Sequence, residues 1–238
     1  MVKVTPYNNS KSKKEQVITM FNDISESYDL LNHSLSLGMD DVWRKKAVKQ
    51  LNNPQTILDI ATGTGDFALT AAKYTQAQIT GIDISQGMLD IGIKKIRKAK
   101  LEKRIRMEIA DSENLPFKNN TFDALTAGFG VRNFEDLEKG LSEMYRVLNT
   151  NGTVVILEPS TPKYFPLKQL YSLYFNHILP TIGAWISKNK NAYKYLPESV
   201  NELPSGKRFI TELKKAGFKE CKYYSLTFGV VSLYVAIK

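Results

Sequence analysis

The chain has 238 residues, of which 42% are hydrophobic and 24% are charged, as in a globular protein with a substantial core. This length fits one α/β domain with a modest insertion, and no apolar run reaches the roughly 18 residues that a membrane-spanning helix needs. The formal net charge of +9 favours anionic partners such as nucleic acid or lipid headgroups, with an ordinary solvated basic surface as the equally weighted alternative.

The sequence offers no support for secretion or for metal binding. Residues 1–16 are polar and rich in lysine, without the apolar stretch of a secretory signal, so we expect a cytoplasmic protein. The single cysteine, Cys221, cannot form an intrachain disulfide, and no cluster of cysteine and histidine predicts a metal site.

Helices and strands alternate along the first two thirds of the chain. Residues 14–31 and 40–51 read as helices; in the first, apolar side chains such as Val17, Phe21 and Ile24 recur at helical spacing. Short apolar runs then predict buried parallel strands at 56–60, 78–83, 105–110, 122–127 and 154–157. Further helices are predicted at 67–74, 87–100 and 135–148. This alternation predicts a parallel sheet with helices on both faces.

The last part of the chain follows a different pattern. A helix at 207–216 ends at Gly217, and strands at 222–227 and 231–237 are joined by a tight turn. A hairpin that ends a parallel sheet makes its last strand antiparallel, which separates class I methyltransferases from ordinary dinucleotide-binding folds. An insertion rich in aromatic residues, 159–204, precedes this tail.

A glycine-rich turn, DIATGTGD at 59–66, lies between the first strand and the following helix. Its glycines allow a ligand to approach the backbone closely, and the helix N-terminus offers unpaired N–H groups. In a dinucleotide enzyme such groups face a pyrophosphate, which Asp66 would repel here. An aminoacyl cation such as S-adenosylmethionine is compatible with that charge, and Asp59 can orient the turn or meet the ligand's ammonium group. A tight turn without a ligand is the alternative.

Acidic residues also follow the next two strands. Asp83 ends the second strand, where a carboxylate accepts hydrogen bonds from ribose hydroxyls; helix capping is the alternative, for which Ser85 is the better candidate. Asp111 and Ser112 follow the third strand, where a carboxylate and a neighbouring N–H can bind an adenine edge, although a polar loop explains that pair alone. Ligands of open α/β sheets bind at the carboxyl edge of the sheet. Three acidic residues after successive strands, Asp59, Asp83 and Asp111, therefore together predict a nucleoside site at that edge.

Longer stretches are similar to one enzyme family. They are FNDIS at 21–25, YDLLN at 28–32, DSENLPF at 111–117 and FGVRN at 129–133. On these motifs, which extend over nearly the whole chain, the sequence resembles the ubiquinone/menaquinone biosynthesis C-methyltransferases, and most of all those that act on demethylmenaquinol. YDLLN and FGVRN are the most specific of them, because the cofactor motifs are shared by many methyltransferases.

The resemblance implies the class I S-adenosylmethionine-dependent, Rossmann-like α/β fold, with a seven-stranded mainly parallel sheet, an antiparallel last strand and a helical lid. We expect an N-terminal lid at 1–52, a cofactor-binding core at 53–158, a substrate-lid insertion at 159–205 and a C-terminal helix and hairpin at 206–238. The expected cofactor-binding residues are Asp59, Thr62, Gly63, Gly65, Asp83, Asp111 and Ser112. One residue departs from the family: Gly128 stands where many relatives have a cofactor-binding serine, so a backbone group or water must replace that hydroxyl.

The implied reaction is attack by a ring carbon of a polyprenyl hydroquinone on the sulfonium methyl group, which converts demethylmenaquinol to menaquinol. Methylation of a polyprenyl methoxy-benzoquinol in ubiquinone biosynthesis, or of another small molecule, is the alternative. Arg132 can stabilise a developing phenolate or pair with a structural carboxylate, and Asn133 can orient the hydroxyl or a water. Tyr28 is the third candidate catalytic residue, with a core role as its alternative, whereas Asp29 and Asn32 can simply end the first helix.

We expect a small-molecule quinol as the substrate and no nucleic acid, because AGFG at 127–130 is not the target-base motif of nucleic-acid methyltransferases. A non-enzymatic NAD-binding module is the other rival. Polyprenyl quinols reside in bilayers, and the insertion combines an apolar stripe with lysines, which predicts peripheral contact with an anionic surface at the inner face of the cytoplasmic membrane. The stripe comprises Leu167, Leu170, Tyr171, Tyr174, Phe175 and Ile178, and the lysines include Lys188, Lys190 and Lys194. Packing of this stripe on the sheet is the equally weighted alternative, and a homodimer is a further expectation.

Overall fold

A computed structural model describes residues 4–36, 38–174 and 190–238. Its strands are β1 Thr56–Ile60, β2 Gln78–Asp83, β3 Ile105–Ile109, β4 Phe122–Gly128, β5 Leu148–Pro159, β6 Lys219–Leu226 and β7 Val231–Ile237. Its α-helices are α1 Lys13–Leu35, α2 Met39–Val48, α3 Asp66–Tyr74, α4 Gln86–Lys98, α5 Leu137–Val147, α6 Leu167–Leu173, α7 Lys190–Glu202 and α8 Lys207–Lys215.

The strands of the described chain form one sheet in the order β3-β2-β1-β4-β5-β7-β6. Neighbours from β3 to β5 are parallel, and β7 is antiparallel to both β5 and β6. The predicted seven-stranded sheet with an antiparallel last strand is therefore confirmed. Because the strand order reverses between β1 and β4, the carboxyl ends of these strands border the crevice where such sheets bind ligands.

The central strands are buried on both faces, which explains their continuous apolar runs. Ile57 and Leu58 are adjacent in β1 and both fully buried, yet they belong to different core clusters on opposite faces of the sheet. One cluster packs α2 and α3 against the sheet, and the other packs α5 and α8. A rigid sheet with covered faces therefore fixes the positions of the loops at its carboxyl edge.

Four predicted boundaries are wrong by three residues or more. Helix α2 ends at Val48 and not at 51, and β6 begins at Lys219 and not at 222. Helix α1 continues to Leu35, so Asp29 and Asn32 lie inside it and do not end it. Strand β5 begins at Leu148, which pairs with Phe122, and an irregularity precedes the regular pairing that resumes at Thr153. The polar residues 149–152 within this irregularity hide the early start of the strand from an analysis of apolar runs.

The aromatic insertion contributes α6 and α7 to the described structure. The exposed fractions of Leu170 and Leu173 in α6 are 58% and 55%, so these side chains do not pack as ordinary core. Phe175 and Ile178 of the predicted stripe, together with Lys188 and the side chain of Lys190, lie outside the described residues.

Candidate active site

The glycine-rich turn leaves β1 in a left-handed backbone conformation. Gly63 and Gly65 have φ values of 56° and 82°, which glycine adopts without strain, and Ala61 has a φ of 50°. Beneath the turn, the fully buried carboxylate of Asp59 accepts hydrogen bonds from the hydroxyls of Thr62 and Thr126, each at 2.5 Å. Burial raises the pKa of Asp59 to about 6, although both hydroxyls favour the charged form. Asp59 thus orients the turn from below.

Asp83, at the end of β2, joins the turn to the next helix. Its carboxylate accepts hydrogen bonds from the backbone N–H groups of Gly63 at 2.8 Å and Ser85 at 2.9 Å. Burial raises the pKa of Asp83, an effect that these backbone donors oppose. The alternative capping role belongs to Ser85, whose hydroxyl accepts from the N–H of Met88 at the start of α4. Asp83 is therefore free of helix capping and lines a cavity beside the turn.

The acidic loop after β3 lies on the same cavity. Asp111 holds its own loop, because one carboxylate oxygen accepts from the N–H of Glu113 at 2.9 Å. Lys14 of α1 binds Asp111 at 2.7 Å and Glu113 at 3.2 Å. Sequence analysis missed Lys14, because nothing in a lysine-rich segment distinguishes a paired lysine from a solvated one.

These groups surround an open cavity with about 600 Å³ of empty space, part of it open to solvent, which we call the cofactor cavity. Its polar lining includes Asp83, Asp111, Ser112, Glu113, Asn133 and Lys14, and its apolar lining includes Val17, Phe21, Tyr28, Met88, Phe129 and Phe134. The cavity thus combines carboxylates for hydroxyl groups with apolar surfaces for a flat ring, which suits a nucleoside. Of the predicted cofactor residues, Gly63, Asp83, Asp111 and Ser112 line it directly.

Two further cavities adjoin the cofactor cavity and share Tyr28 and Phe129 with it. The turn cavity, about 410 Å³, is lined by Arg44 of α2 and by most of the glycine-rich turn, namely Asp59, Ala61, Thr62, Gly63, Thr64 and Asp66. The predicted cofactor residue Gly65 is not part of this lining. The apolar cavity, about 750 Å³, is lined by Trp43, Phe129, Arg132, Pro159, Tyr171, Tyr174, Leu196, Val230 and Val231, among others. Tyr28 therefore lies where the three cavities meet.

Helix α1 crosses this region and is bonded to three parts of it. Lys14 binds the acidic loop, Asn22 binds the hydroxyl of Ser85 at 2.7 Å, and Asp29 accepts from the hydroxyl of Thr64 at 2.5 Å. Asp29 also binds Lys95 of α4 at 2.8 Å. This helix covers the cofactor cavity and contributes Lys14, Val17, Phe21 and Tyr28 to its wall.

Arg132 follows β4 in a short 3₁₀ turn and faces the buried carboxylate of Glu158. Its Nη1 lies 3.2 Å from Glu158 Oε2 and also donates to the carbonyl of Phe129. Glu158 further accepts from the N–H of Val131 at 2.7 Å, and burial raises its pKa although Arg132 opposes the shift. Arg132 thus makes the structural ion pair weighed from the sequence and also lines the apolar cavity. Glu158 was missed, although an acidic residue at the carboxyl end of a buried strand is a recognisable signal.

Buried polar atoms without partners gather around Arg132. In the part of the chain that the structure describes, Arg132 Nε, Asn133 Oδ1 and the hydroxyl of Tyr195 are buried and unpaired. Each such group costs free energy unless a ligand or water pairs with it. Asn133 lines the cofactor cavity, whereas Tyr195 comes from α7 in the insertion. The arrangement is suited to a ligand with hydroxyl groups between these elements.

Gly128 is surrounded so closely that a serine does not fit. A Cβ atom at this position would lie 2.8 Å from Cδ1 of Phe67. The departure from the family's serine is therefore matched by a bulky neighbour that fills the space.

No candidate metal-binding cluster occurs among the described residues. None of the helices within 4–36, 38–174 and 190–238 is long and apolar enough to cross a membrane.

Comparison with known proteins shows which family this chain is similar to. The model of the ubiE/COQ5 methyltransferase family matches residues 9–238. The chain is 47% identical to demethylmenaquinone methyltransferase of Bacteroides fragilis, over 99% of this chain and 98% of the relative. It is 45% identical to the ubiquinone/menaquinone biosynthesis C-methyltransferase UbiE of Geotalea daltonii, over 95% and 97% of the two chains.

Solved structures share the fold at much lower sequence identity. The [4+2]-cyclase SpnF superposes with a TM-score of 0.69 at 17% identity, covering 98% of each chain. A structure described as an S-adenosylmethionine-dependent methyltransferase of Methanococcus maripaludis superposes with a TM-score of 0.64 at 21% identity, covering 98% of this chain and 95% of that one. Because a cyclase and a methyltransferase share this architecture, the fold alone does not determine the reaction.

Proposed function

Since the chain belongs to the ubiE/COQ5 methyltransferase family and is an S-adenosylmethionine-dependent methyltransferase, we propose that it methylates a ring carbon of demethylmenaquinol to give menaquinol. The observation that carries the proposal is the apolar cavity of about 750 Å³ beside the cofactor cavity, with Tyr28 and Phe129 in the wall of both. A flat quinol ring in that cavity would lie against the methyl donor. A polyprenyl methoxy-benzoquinol is the second candidate, favoured by the similarity to UbiE.

The residues of the cofactor cavity fit the proposed assignment of the methyl donor. Asp83 would accept from the ribose hydroxyls, and Asp111 and Ser112 would bind the adenine edge, while Thr62, Gly63 and Gly65 shape the turn and Asp59 supports it from below. When bound, S-adenosylmethionine supplies an electrophilic methyl group. Because the Asp83 carboxylate is buried and backbone donors hold it in place, little reorganisation is needed to receive the ribose.

The cofactor assignment is tested at Asp83. Asp83→Asn keeps an acceptor for the N–H of Gly63 but loses the charge, whereas Asp83→Ala removes both. We expect Asp83→Ala to weaken S-adenosylmethionine binding by about 1.5–3 kcal/mol in calorimetry, with Asp83→Asn in between. Unchanged affinity in Asp83→Ala would remove this residue from the site.

The chemistry requires an electron-rich ring carbon, and therefore a reduced quinol that releases one hydroxyl proton to solvent. As the C–CH3 bond forms, the S–CH3 bond would break to leave S-adenosylhomocysteine, and the proton on the methylated ring carbon would then move to the oxygen to restore the aromatic quinol. We assign Asn133 the orientation of that hydroxyl and Arg132 the stabilisation of the developing phenolate, because both carry buried unpaired atoms. Tyr28 would position the ring against the methyl group from the junction of the cavities. Arg132→Ala and Asn133→Ala should lower kcat with little change in cofactor affinity. Equal losses of cofactor affinity would place both residues in the cofactor site instead.

One assay tests the reaction as a whole. The enzyme is given labelled S-adenosylmethionine with reduced demethylmenaquinone or with the demethylated benzoquinol, and the products are identified by mass. Faster methylation of the naphthoquinol supports the first candidate, and faster methylation of the benzoquinol supports the second. Turnover of the oxidised quinone under non-reducing conditions would contradict the mechanism, because its ring carbon is electron-poor.

We further propose that the insertion, 159–205, is a substrate lid that contacts an anionic membrane surface. Tyr171 of α6 lines the apolar cavity, whereas Leu170 and Leu173 of the same helix are exposed. Phe165, just before the helix, is 82% exposed. A helix between the cavity and an apolar outer surface would let a polyprenyl tail pass from bilayer to site.

Flotation with anionic vesicles tests the membrane contact. Leu170→Asp with Leu173→Asp should abolish association at low salt, whereas Leu30→Asp, which alters another exposed leucine on α1, should not. If the parent protein did not associate with the anionic vesicles at low salt, the proposed membrane contact would be refuted. The expected homodimer stays a prediction that analytical ultracentrifugation checks.

A further inference from the structure

The first turn of α1 carries two consecutive lysines, Lys13 and Lys14, in a fixed position. A capping box holds this turn: the N–H of Glu15 donates to the hydroxyl of Ser12 at 3.2 Å, and the N–H of Ser12 donates to the carboxylate of Glu15 at 2.9 Å. Lys14 binds the acidic loop after β3. The proposed function gives Lys13 no role, although the same capped turn holds it in place.

Lys13 is buried against the turn that carries Arg132. Only 7% of Lys13 is exposed, and its Nζ donates to the backbone carbonyl of Arg132 at 3.2 Å. Lysine is among the residues that are least often buried, because its ammonium group then loses its hydration. Two lysines at the start of a helix also oppose the helix macrodipole. The stability of α1 therefore does not account for this lysine, whereas its bond to the neighbouring turn does.

Glu158 holds the same turn through its N–H groups. This buried carboxylate accepts from the N–H of Val131 at 2.7 Å and pairs with the guanidinium of Arg132 at 3.2 Å. The 3₁₀ turn Val131–Asn133 is thus bound by an anion at an N–H group and by a cation at a carbonyl group. Both kinds of contact restrict where the side chains of Arg132 and Asn133 lie.

Lys14 holds the chain just beyond this turn. One carboxylate oxygen of Glu113 binds Lys14 at 3.2 Å, and the other accepts from the N–H of Glu135 at 2.7 Å. Asn133 therefore lies between two backbone groups that the first turn of α1 holds, directly at Arg132 and through Glu113 at Glu135. The Oδ1 atom of Asn133 is buried without a partner among the described residues, so its position decides which ligand atom it meets.

We propose that Lys13 is a positioning residue, which couples the docking of α1 over the methyl donor to the alignment of Arg132 and Asn133 for methyl transfer. The inference rests on the proposed function for the roles of those two side chains. Lys13 is not among the residues that line the three cavities, so it acts through the turn and not on a ligand. Because Lys13 and Lys14 belong to one capped turn, their contacts form together when α1 covers the cofactor cavity.

The kinetic test replaces the ammonium group and keeps the aliphatic chain. Lys13→Met should lower kcat for the quinol roughly 10- to 100-fold, the effect of a small misplacement of reacting groups. Its affinity for S-adenosylhomocysteine in calorimetry should equal that of the parent. Lys13→Arg supplies another cationic donor and should regain most of the lost kcat. Lys11→Met changes an exposed lysine two residues earlier and should leave kcat unchanged.

A variant that already lacks the two aligned side chains separates positioning from structural damage. In Arg132→Ala/Asn133→Ala, the further change Lys13→Met should cause no additional loss of rate in single turnovers, because the side chains that Lys13 positions are absent. A merely structural role of Lys13 would lower the rate in this background as well.

Hydrogen exchange measures the same coupling without turnover. The amides of Asn133 and Phe134 donate within the turn at 3.0 and 3.1 Å, so their exchange reports whether the turn stays closed. With S-adenosylhomocysteine bound, these amides should exchange faster in Lys13→Met than in the parent or in Lys11→Met, while the central strands exchange as before. If the parent methylates neither quinol, the proposed function is refuted, and this comparison still tests Lys13.

Four results would overturn the proposal. The first is a kcat of Lys13→Met equal to that of the parent, and the second is an additional loss of rate in Arg132→Ala/Asn133→Ala. The third is a parallel loss of affinity for S-adenosylhomocysteine, which would assign Lys13 to cofactor binding. The fourth is exchange at Asn133 and Phe134 that is unchanged, or that rises together with exchange throughout the sheet, which would assign Lys13 to the stability of the fold.

Discussion

The buried carboxylate of Asp59 makes the stability of the fold depend on pH in a predictable direction. Burial raises its pKa from 3.8 to about 6, against the hydrogen bonds from Thr126 and Thr62. Between these two values the folded chain keeps a proton that the unfolded chain has released. The free energy of unfolding attributable to Asp59 must therefore fall as the pH rises through this window.

Asp59→Asn should remove this dependence, because the amide does not ionise and the two threonine hydroxyls can rotate to serve its donor and its acceptor. Each pH unit within the window lowers the stability of the parent by about 1.36 kcal/mol. Over the whole window the loss amounts to about 3 kcal/mol. The free energy of unfolding of Asp59→Asn minus that of the parent should thus rise by about 3 kcal/mol from about pH 4 to about pH 7.

Urea unfolding at a series of pH values, followed by circular dichroism, measures this difference while the other titrating groups cancel. Asp123→Asn provides a control of opposite sign, because hydrogen bonds from Asn149 and Thr56 outweigh desolvation and lower the pKa of Asp123. The free energy of unfolding of Asp123→Asn minus that of the parent should fall as the pH rises toward 3.8, the ordinary pKa of this carboxyl group. From about pH 4 to about pH 7 the difference should stay level, because Asp123 of the parent is then charged in both the folded and the unfolded chain. A difference for Asp59→Asn that is flat or falls with pH would refute the reasoning.

Further predictions concern the groups around the apolar cavity. Glu158→Gln leaves the buried guanidinium of Arg132 without its carboxylate and should lower the free energy of unfolding by about 3 kcal/mol in urea; an unchanged midpoint would mean that the pair contributes nothing. Gly128→Ser should destabilise by about 1–3 kcal/mol through contact with Phe67, and the added change Phe67→Leu should restore stability unless the crowding lies elsewhere. Tyr195→Phe removes a buried unpaired hydroxyl, so it should leave thermal stability unchanged or higher yet lower kcat/KM for the quinol; full activity would exclude Tyr195 from substrate binding.

Much of the fold could be predicted because its signals are local. Strand β1 runs from Thr56 to Ile60 as predicted, since a strand buried on both faces is a continuous apolar run. The early start of β5 could not be predicted, because residues 149–152 separate Leu148, which pairs with Phe122, from the apolar run farther along the strand. The antiparallel last strand followed from the short connection to β6, which leaves no room for a crossover.

The candidate site could likewise be predicted from the sequence only in part. Asp59, Asp83 and Asp111 could be grouped from the sequence, because parallel neighbouring strands bring their carboxyl ends together. Lys14 could not, since it meets Asp111 across 97 residues only through the path of α1 over the sheet edge. The location of Arg44 beside the glycine-rich turn likewise depends on how α2 packs beside α3. No local sequence pattern specifies that packing.

The three attachments of α1 have a consequence for ligand exchange kinetics. Lys14, Asn22 and Asp29 tie one continuous helix to the acidic loop, to the start of α4 and to the glycine-rich turn. Because α1 is rigid, it cannot move far from one of these contacts without straining the next one. We therefore expect the cofactor cavity to open in one concerted movement of α1 and not by fraying of one end of the helix. The ion pairs of Lys14 are partly exposed, with 28% of the lysine side chain accessible, so added salt weakens that attachment. Dissociation of the spent nucleoside product should therefore accelerate with ionic strength, and its rate sets an upper limit on turnover.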